Sequence, residues 1–327
     1  MQRRTLIGAG GLWLAPLAGH PQPARKAYRI GVLSVGANAV EMAGPKPAWA
    51  AIAALLGGLR ELGYVYGETL VTEPRSAEGQ VERFPGLVAD LMRLQVDVLV
   101  APGPALAACK QATSTLPIVM AGAEDPVGLC VVKGLARPGT NFTGLSNQSV
   151  EAAVKKLEML KEIVPGAAPV AVLWDPAALL TWQALQAAAR ERGWKLLSFE
   201  VHDANGIEAA IKAAAAAKAG ALNPVGGLAF RHARRIAELA FISRLPAAFG
   251  NRAQVGDAGL LSYGADFDVI WHRAAFFVDK ILRGANPADL AVEQPTTFKL
   301  TLNLKTAKAL GLKIPQELLL RADEVIQ

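Results

Sequence analysis

The feature that most constrains this chain is an alternation that starts at Tyr28 and runs almost to the C-terminus. Short apolar runs are separated by longer segments with helical spacing. Tyr28–Ser34 reads as a strand. Trp49, Ile52, Leu55, Leu56, Leu59 and Leu62 then recur at intervals of three and four, a helix that stops at Gly63. The next clear strands are residues 96–101, a continuous apolar run of the kind buried on both faces of a parallel sheet, then 117–122 and 141–145. The pattern restarts with a helix over 150–163 and a strand at 170–174. Helix 178–192, strand 195–201, helix 206–218, strand 220–223 and helix 231–243 follow, with short strands at 247–250 and 260–263. Strands alternating with helices specify parallel sheets with right-handed crossovers. Two successive sets in 327 residues make two doubly wound α/β lobes.

After the second set come a helix over 268–283, Asn286-Pro287, a strand over 298–303 and a helix over 304–310. This surplus predicts that the chain returns to the first lobe and crosses again, so that the lobes share a multi-strand hinge. The expected division is 28–145 with about 266–291 in lobe 1, and 146–265 with about 292–327 in lobe 2. Hydrophobic content of 52% suits two well-filled interiors.

Residues 1–24 stand outside that pattern. Arg3 and Arg4 precede the apolar run 6–18, and a Pro-containing exit leads to Arg25, the layout of a secretory signal. Thirteen apolar residues are short for a membrane span, and Gly8, Gly10, Gly11 and Pro16 weaken any buried helix. Arg3-Arg4-Thr5-Leu6-Ile7 also resembles a twin-arginine signal, so both export routes to the periplasm stay open. With no cysteine after the apolar run, a lipid anchor is not expected. Cys109 and Cys130 are expected as two buried thiols. Without residues 1–24, 32 basic residues face 28 acidic ones, scattered along the chain, so no nucleic-acid face is expected.

In doubly wound sheets ligands sit beyond the carboxyl ends of the strands. Those ends offer Ser34, Gly103 in Pro102-Gly103-Pro104, and Asp125 in Glu124-Asp125-Pro126 from the first lobe. The second offers Asp175, Asn223, Asn251, Tyr263 and Asp266. Facing one another, they would line a cleft for a polar or zwitterionic small molecule with an apolar part. A carboxylate such as Asp125 or Asp266 suits an ammonium. Asp-Pro and Asn-Pro pairs equally start turns and cap helices, so each residue has a second role open to it. No nucleophile elbow, Cys-x-x-Cys, His-Glu-x-x-His or phosphate loop is present, and the four histidines lack metal-ligand spacing. Neither catalysis, a metal nor a cofactor is expected.

Several segments carry a resemblance. Gly58-Leu59-Arg60-Glu61-Leu62-Gly63-Tyr64, Asp125-Pro126-Val127-Gly128 and Leu135-Ala136-Arg137-Pro138-Gly139 with Asn141-Phe142-Thr143-Gly144 belong to it. Leu261-Ser262-Tyr263-Gly264 and Asn303-Leu304-Lys305-Thr306-Ala307 do too. Together they are similar to an ABC-transporter substrate-binding family associated with tryptophan or tyrosine uptake. The resemblance implies a periplasmic-binding-protein fold of the first type, three hinge crossings and a ligand between the lobes. It also implies an inner-membrane permease and ATPase as partners, with the chain itself a monomer. Residues 174–180 and 223–227 depart from the family pattern, and both lie at the expected cleft. A periplasmic sensor presenting its bound state to a membrane receptor is the alternative; a regulator's core would need a helix-turn-helix that some 27 leading residues do not supply.

Overall fold

The computed structural model describes residues 27–164 and 168–327, so the secretory-signal reading of residues 1–24 lies outside the described residues. The strands are β1 Tyr28–Ser34, β2 Leu70–Ser76, β3 Val98–Ala101, β4 Ile118–Ala123, β5 Phe142–Ser146, β6 Val170–Trp174, β7 Leu196–Glu200, β8 Ala221–Pro224, β9 Ala248–Phe249, β10 Leu261–Ala265, β11 Phe298–Asn303 and β12 Glu324–Ile326. The first-lobe helices are α1 Ala39–Met42, α2 Ala50–Glu61, α3 Phe84–Arg93 and α4 Leu106–Ala112. Then come α5 Ser149–Ile163, α6 Leu179–Glu191, α7 Gly206–Ala216, α8 Gly227–Arg231, α9 Ala233–Ile242 and α10 Arg252–Val255. The last are α11 Phe267–Leu282, α12 Leu304–Leu310 and α13 Gln316–Arg321.

The first sheet has the order β2-β1-β3-β4-β5 with every pair parallel. Alternate side chains leave opposite faces. Ile30, Val32, Val98, Val100 and Val119 pack with α2 and α11, while Leu33, Leu99, Ile118 and Met120 pack with Phe84, Val88 and Leu106. Burial on both faces explains why β3 and β4 read as unbroken apolar runs. β2 escaped the sequence reading because Glu73, Pro74 and Arg75 interrupt it. It is the edge strand, where a proline forfeits no ladder bond.

In the second lobe β7-β6-β8 form a parallel set and β9-β10-β11-β12 a mixed one, joined by a parallel bridge from Leu222 to Ala247. β11 runs antiparallel to β10, and β12, too short to read from sequence, lies parallel to β11. Val170 and Val172 pack with Leu157, Leu160 and Leu185 on one face; Ala171 and Leu173 pack with Ile207, Ile211 and Ile236 on the other.

The chain passes between the lobes three times, after β5, after β10 and before β11. The passages are tied together: Ser146 N–H donates to Glu293 O at 2.9 Å, Glu293 N–H to Gly144 O at 2.9 Å, and Asp266 N–H to Thr297 O at 3.2 Å. Arg273 of α11 grips the Glu293 carboxylate with two bonds, 2.8 and 2.7 Å. The returning α11 packs on α2, where a Cβ on Gly58 would stand 2.6 Å from His272 O. Only glycine admits so close a helix contact. Cys109 is buried, as expected, and burial pushes its thiol up to about 12. Cys130 is exposed: it lies in the loop after β4 at a φ of 53°, where Val131 and Val132 turn into the core and the thiol does not.

Candidate functional site

Carboxyl ends of both sheets meet where residues 122–128 of the first lobe face β6, β8 and the starts of α6 and α8 of the second. The Leu180 Cδ1 of α6 lies 3.0 Å from where a Cβ on Gly128 would sit, so the lobes touch there. Phe230 of α8 meets Phe267, the first residue of α11, with ring centroids 6.4 Å apart and planes tilted by 49°. Phe267 in turn covers Gly122 at the end of β4, 3.3 Å from the position of a Cβ. Around this line Val127, Leu129, Leu179, Leu180 and Phe230 remain exposed, giving the junction an apolar rim.

Charge lies behind that rim. Lys156 sits on the face of α5 that carries Ala153 and Leu160, and it is 5% exposed. Its ammonium donates to Pro224 O at the end of β8 over 3.5 Å. Burial lowers its pKa to about 8, opposed by attraction from Glu124. Glu124, half-buried at the end of β4, has its carboxyl pKa raised, first by burial and then by the like charge of Asp175; Lys156 acts in the other direction. Asp175 is 7% exposed at the end of β6, and its Oδ2 accepts from Leu228 N at 2.6 Å, capping α8. Gly226 makes room for that bond: its φ of 95° is glycine territory, and a Cβ there would lie 2.6 Å from the same oxygen. Asn223 is fully buried; its Nδ2 donates to Ala153 O at 3.2 Å while its Oδ1 has no partner. The Oγ atoms of Ser146 and Ser149, at the first crossing, are also buried without partners.

The residues singled out from sequence are distributed as follows. Gly103 lies beside the junction, a Cβ there being 3.2 Å from Gly122 O and 3.9 Å from Glu124 N. Asp125 turns back into its own loop, accepting from Gly128 N at 2.8 Å. Ser34 accepts from Ala37 N at 3.0 Å. Asn251 caps α10 in a capping box with Gln254. Asp266 caps α11 through Asp268 N and pairs with Lys299 at 2.6 Å. Tyr263 stacks on Phe298 at 5.6 Å, against the second-lobe core. The structure thus brings Gly103, Asp125, Asp175 and Asn223 to the line where the lobes meet.

Glu124, Lys156, Phe230 and Phe267 escaped the sequence reading. Lys156 had a signal, a lysine on the apolar stripe Ala153-Leu157-Leu160 of α5. Asn147 pins the first crossing to β4, its N–H donating to Ala123 O at 2.8 Å and its Nδ2 to Gly122 O at 3.3 Å.

Residues 46–326 match the family described as ABC transporter substrate binding protein. The chain belongs to that family. As a substrate-binding protein it is extracytoplasmic, binds a small organic molecule and serves an ABC importer, in a class that is not enzymatic. Among curated proteins it is similar to the tyrosine-binding protein of Clostridioides difficile strain R20291, at 21% identity over 78% of this chain and 74% of that one. It superposes on an ABC domain from Streptococcus pneumoniae solved with L-Trp, with a TM-score of 0.82 and 25% identity over 92% of this chain and all of the other. A conserved domain protein from Vibrio cholerae O1 biovar El Tor gives the same TM-score at 26% identity, over 92% of this chain and all of that one. The expected α/β fold of the periplasmic-binding-protein kind is therefore present. No helix among the described residues is long and apolar enough to cross a membrane.

Proposed function

We propose that this substrate-binding protein captures an amino acid, with an aromatic side chain as the leading class, between its two lobes and yields it to a permease–ATPase pair. The observation that carries this is the junction itself: acidic and basic side chains from opposite lobes, unpaired buried oxygens, and an apolar rim with Phe230 and Phe267. The L-Trp and tyrosine of the relatives combine the same three chemistries: an ammonium, a carboxylate and a flat apolar body. Lobe 1 comprises 28–145 with about 266–291, and lobe 2 146–265 with about 292–327, supported by the packing of α11 on α2. The leader-like residues support export to the periplasm by the general or the twin-arginine route, where the protein works as a monomer.

A thermal-shift screen of the purified protein against amino acids, aromatic acids and small metabolites tests this reading. A solute at 100 times its Kd stabilises the folded form by about 2.7 kcal/mol, several degrees in Tm. A screen in which no small molecule shifts the transition defeats it. The sensor alternative predicts the same shift but no loss of uptake when the permease is deleted.

A further inference from the structure

β7 is the outer strand of the β7-β6-β8 set, and its far edge is open. Lys195 O accepts from Val170 N at 3.0 Å and Val201 N donates to Trp174 O at 2.9 Å, so the odd-numbered residues spend their backbone groups on β6. These groups alternate sides along a strand. Those of Leu196, Ser198 and Glu200 therefore point away from the sheet, with no backbone partner among the described residues. Sheet edges are ordinarily guarded against pairing. β2, at the end of the first sheet, carries Pro74 between Glu73 and Arg75, whereas β7 follows β6 in unbroken register and holds no proline. Grooves flank this edge on both faces. One, of about 350 Å³, is lined by Leu196, Ser198, Trp182, Trp194 and Arg190. The other, of about 450 Å³, is lined by Phe199 with Ala210 and Ala213 of α7. Charge is also polarised along the strand. Ahead of it Arg192 is matched by Glu158 at 2.8 Å and Glu191 at 3.6 Å, while Arg190 and Lys195 have no ion pair among the described residues. At its other end stand Glu200 and Asp203, with His202 Nε2 3.5 Å from the Glu200 carboxylate.

We propose that β7 pairs with β7 of a second copy of this chain, antiparallel about a two-fold axis that passes through Ser198 perpendicular to the sheet. Such an axis keeps each face on its own side, so every residue meets one of its own parity. The register that uses the whole strand sets Ser198 opposite Ser198, Leu197 opposite Phe199 and Leu196 opposite Glu200. Residues with outward N–H and C=O groups then meet one another, as hydrogen-bonded pairs require, and the pairs between them are the apolar Leu197 and Phe199. The copy's Glu200 arrives on the face where Arg190 lines its groove, and the copy's Leu197 on the face of Ala210 and Ala213. Charge selects this occupant and this orientation, because an antiparallel copy lays the basic end of each strand on the acidic end of the other. One short strand from each copy makes a small interface, so the pairing is a reversible association of working monomers. The edge is the flank of the lobe 2 sheet, whereas the junction lies beyond its strand ends. The inference therefore goes beyond solute capture and holds whatever the solute.

Sedimentation velocity of the purified protein between about 1 µM and about 500 µM is the test. Expected is a monomer that passes reversibly into a dimer within that range. Arg190→Glu and Glu200→Arg each set like charges together at both ends of the pair, and each weakens dimerisation at least about tenfold. The double variant restores opposite charges and recovers the parent's dimerisation to within about threefold. Cross-linking reads the register. In a Cys130→Ser background, Ser198→Cys forms a disulfide-linked dimer on treatment with diamide, since the axis brings this residue against itself. Glu200→Cys does not, because its two copies stand roughly 14 Å apart along the paired strands. A chain that stays monomeric throughout the range overturns the inference. So does a dimer that survives both single charge reversals, or one that Glu200→Cys traps as readily as Ser198→Cys. A monomer whose charge-reversal variants lose uptake in cells overturns it as well, and gives the β7 edge to the importer instead.

Discussion

At the scale of single residues, the buried charges of the junction make stability depend on pH. Glu124 has a raised carboxyl pKa, so the folded state prefers it protonated, and its ionisation weakens folding as pH climbs from the unfolded value through the folded one. Glu124→Gln cannot ionise. The ligand-free variant should therefore melt above the parent at pH 7.5, with the difference fading toward pH 4.5, as differential scanning calorimetry would show. Lys156 carries the opposite sign of charge, and its pKa is lowered from 10.5 to about 8. Between those values the unfolded chain binds more protons than the folded one, so this lysine makes stability rise with pH across that window. Urea unfolding of Lys156→Met should lack that rise relative to the parent. Equal pH slopes in the two proteins would show that Lys156 is not desolvated as placed.

At the scale of elements, two glycines set how closely parts approach. Gly58 lets α2 and α11 touch, and Gly58→Leu should cost about 1–3 kcal/mol in urea unfolding by forcing those helices apart. Gly226 leaves room for the cap from Asp175 to α8, and Gly226→Ala should cost roughly 1–3 kcal/mol through its φ of 95° and the crowded carboxylate. Elements such as β3, β4, β6 and α2 were legible because their patterns arise from burial in a single lobe. β2 hid behind Pro74, and α8, only five residues long, went unread ahead of the helix read over 231–243, which is α9. The strand-end rule brought Asp175, Asn223 and Gly103 to the junction. It missed Glu124 in favour of its neighbour Asp125, because a turn after a strand does not tell which of two adjacent carboxylates faces the other lobe. Lys156 and Phe230 lie on helices, outside what strand ends disclose. Asp266, Asn251 and Ser34 spend their side-chain oxygens on local N–H groups, a use that turn and cap chemistry equally favours.

At the scale of the molecule, three passages tied by backbone bonds and the Arg273–Glu293 clamp make a hinge with few free torsions. Such a hinge turns contacts made in the closed state into a rigid-body motion of whole lobes. A solute shifts that equilibrium only by binding the closed form more tightly than the open one, and contacts to both lobes at once provide the difference. The most direct test places spin labels at Lys110→Cys on α4 and Arg234→Cys on α9 in a Cys130→Ser background, both positions being exposed. Pulsed dipolar spectroscopy then reads the distance between the lobes with and without the solute. A saturating solute should shorten and narrow the distribution. A solute that binds with the distance distribution unchanged would contradict capture between closing lobes.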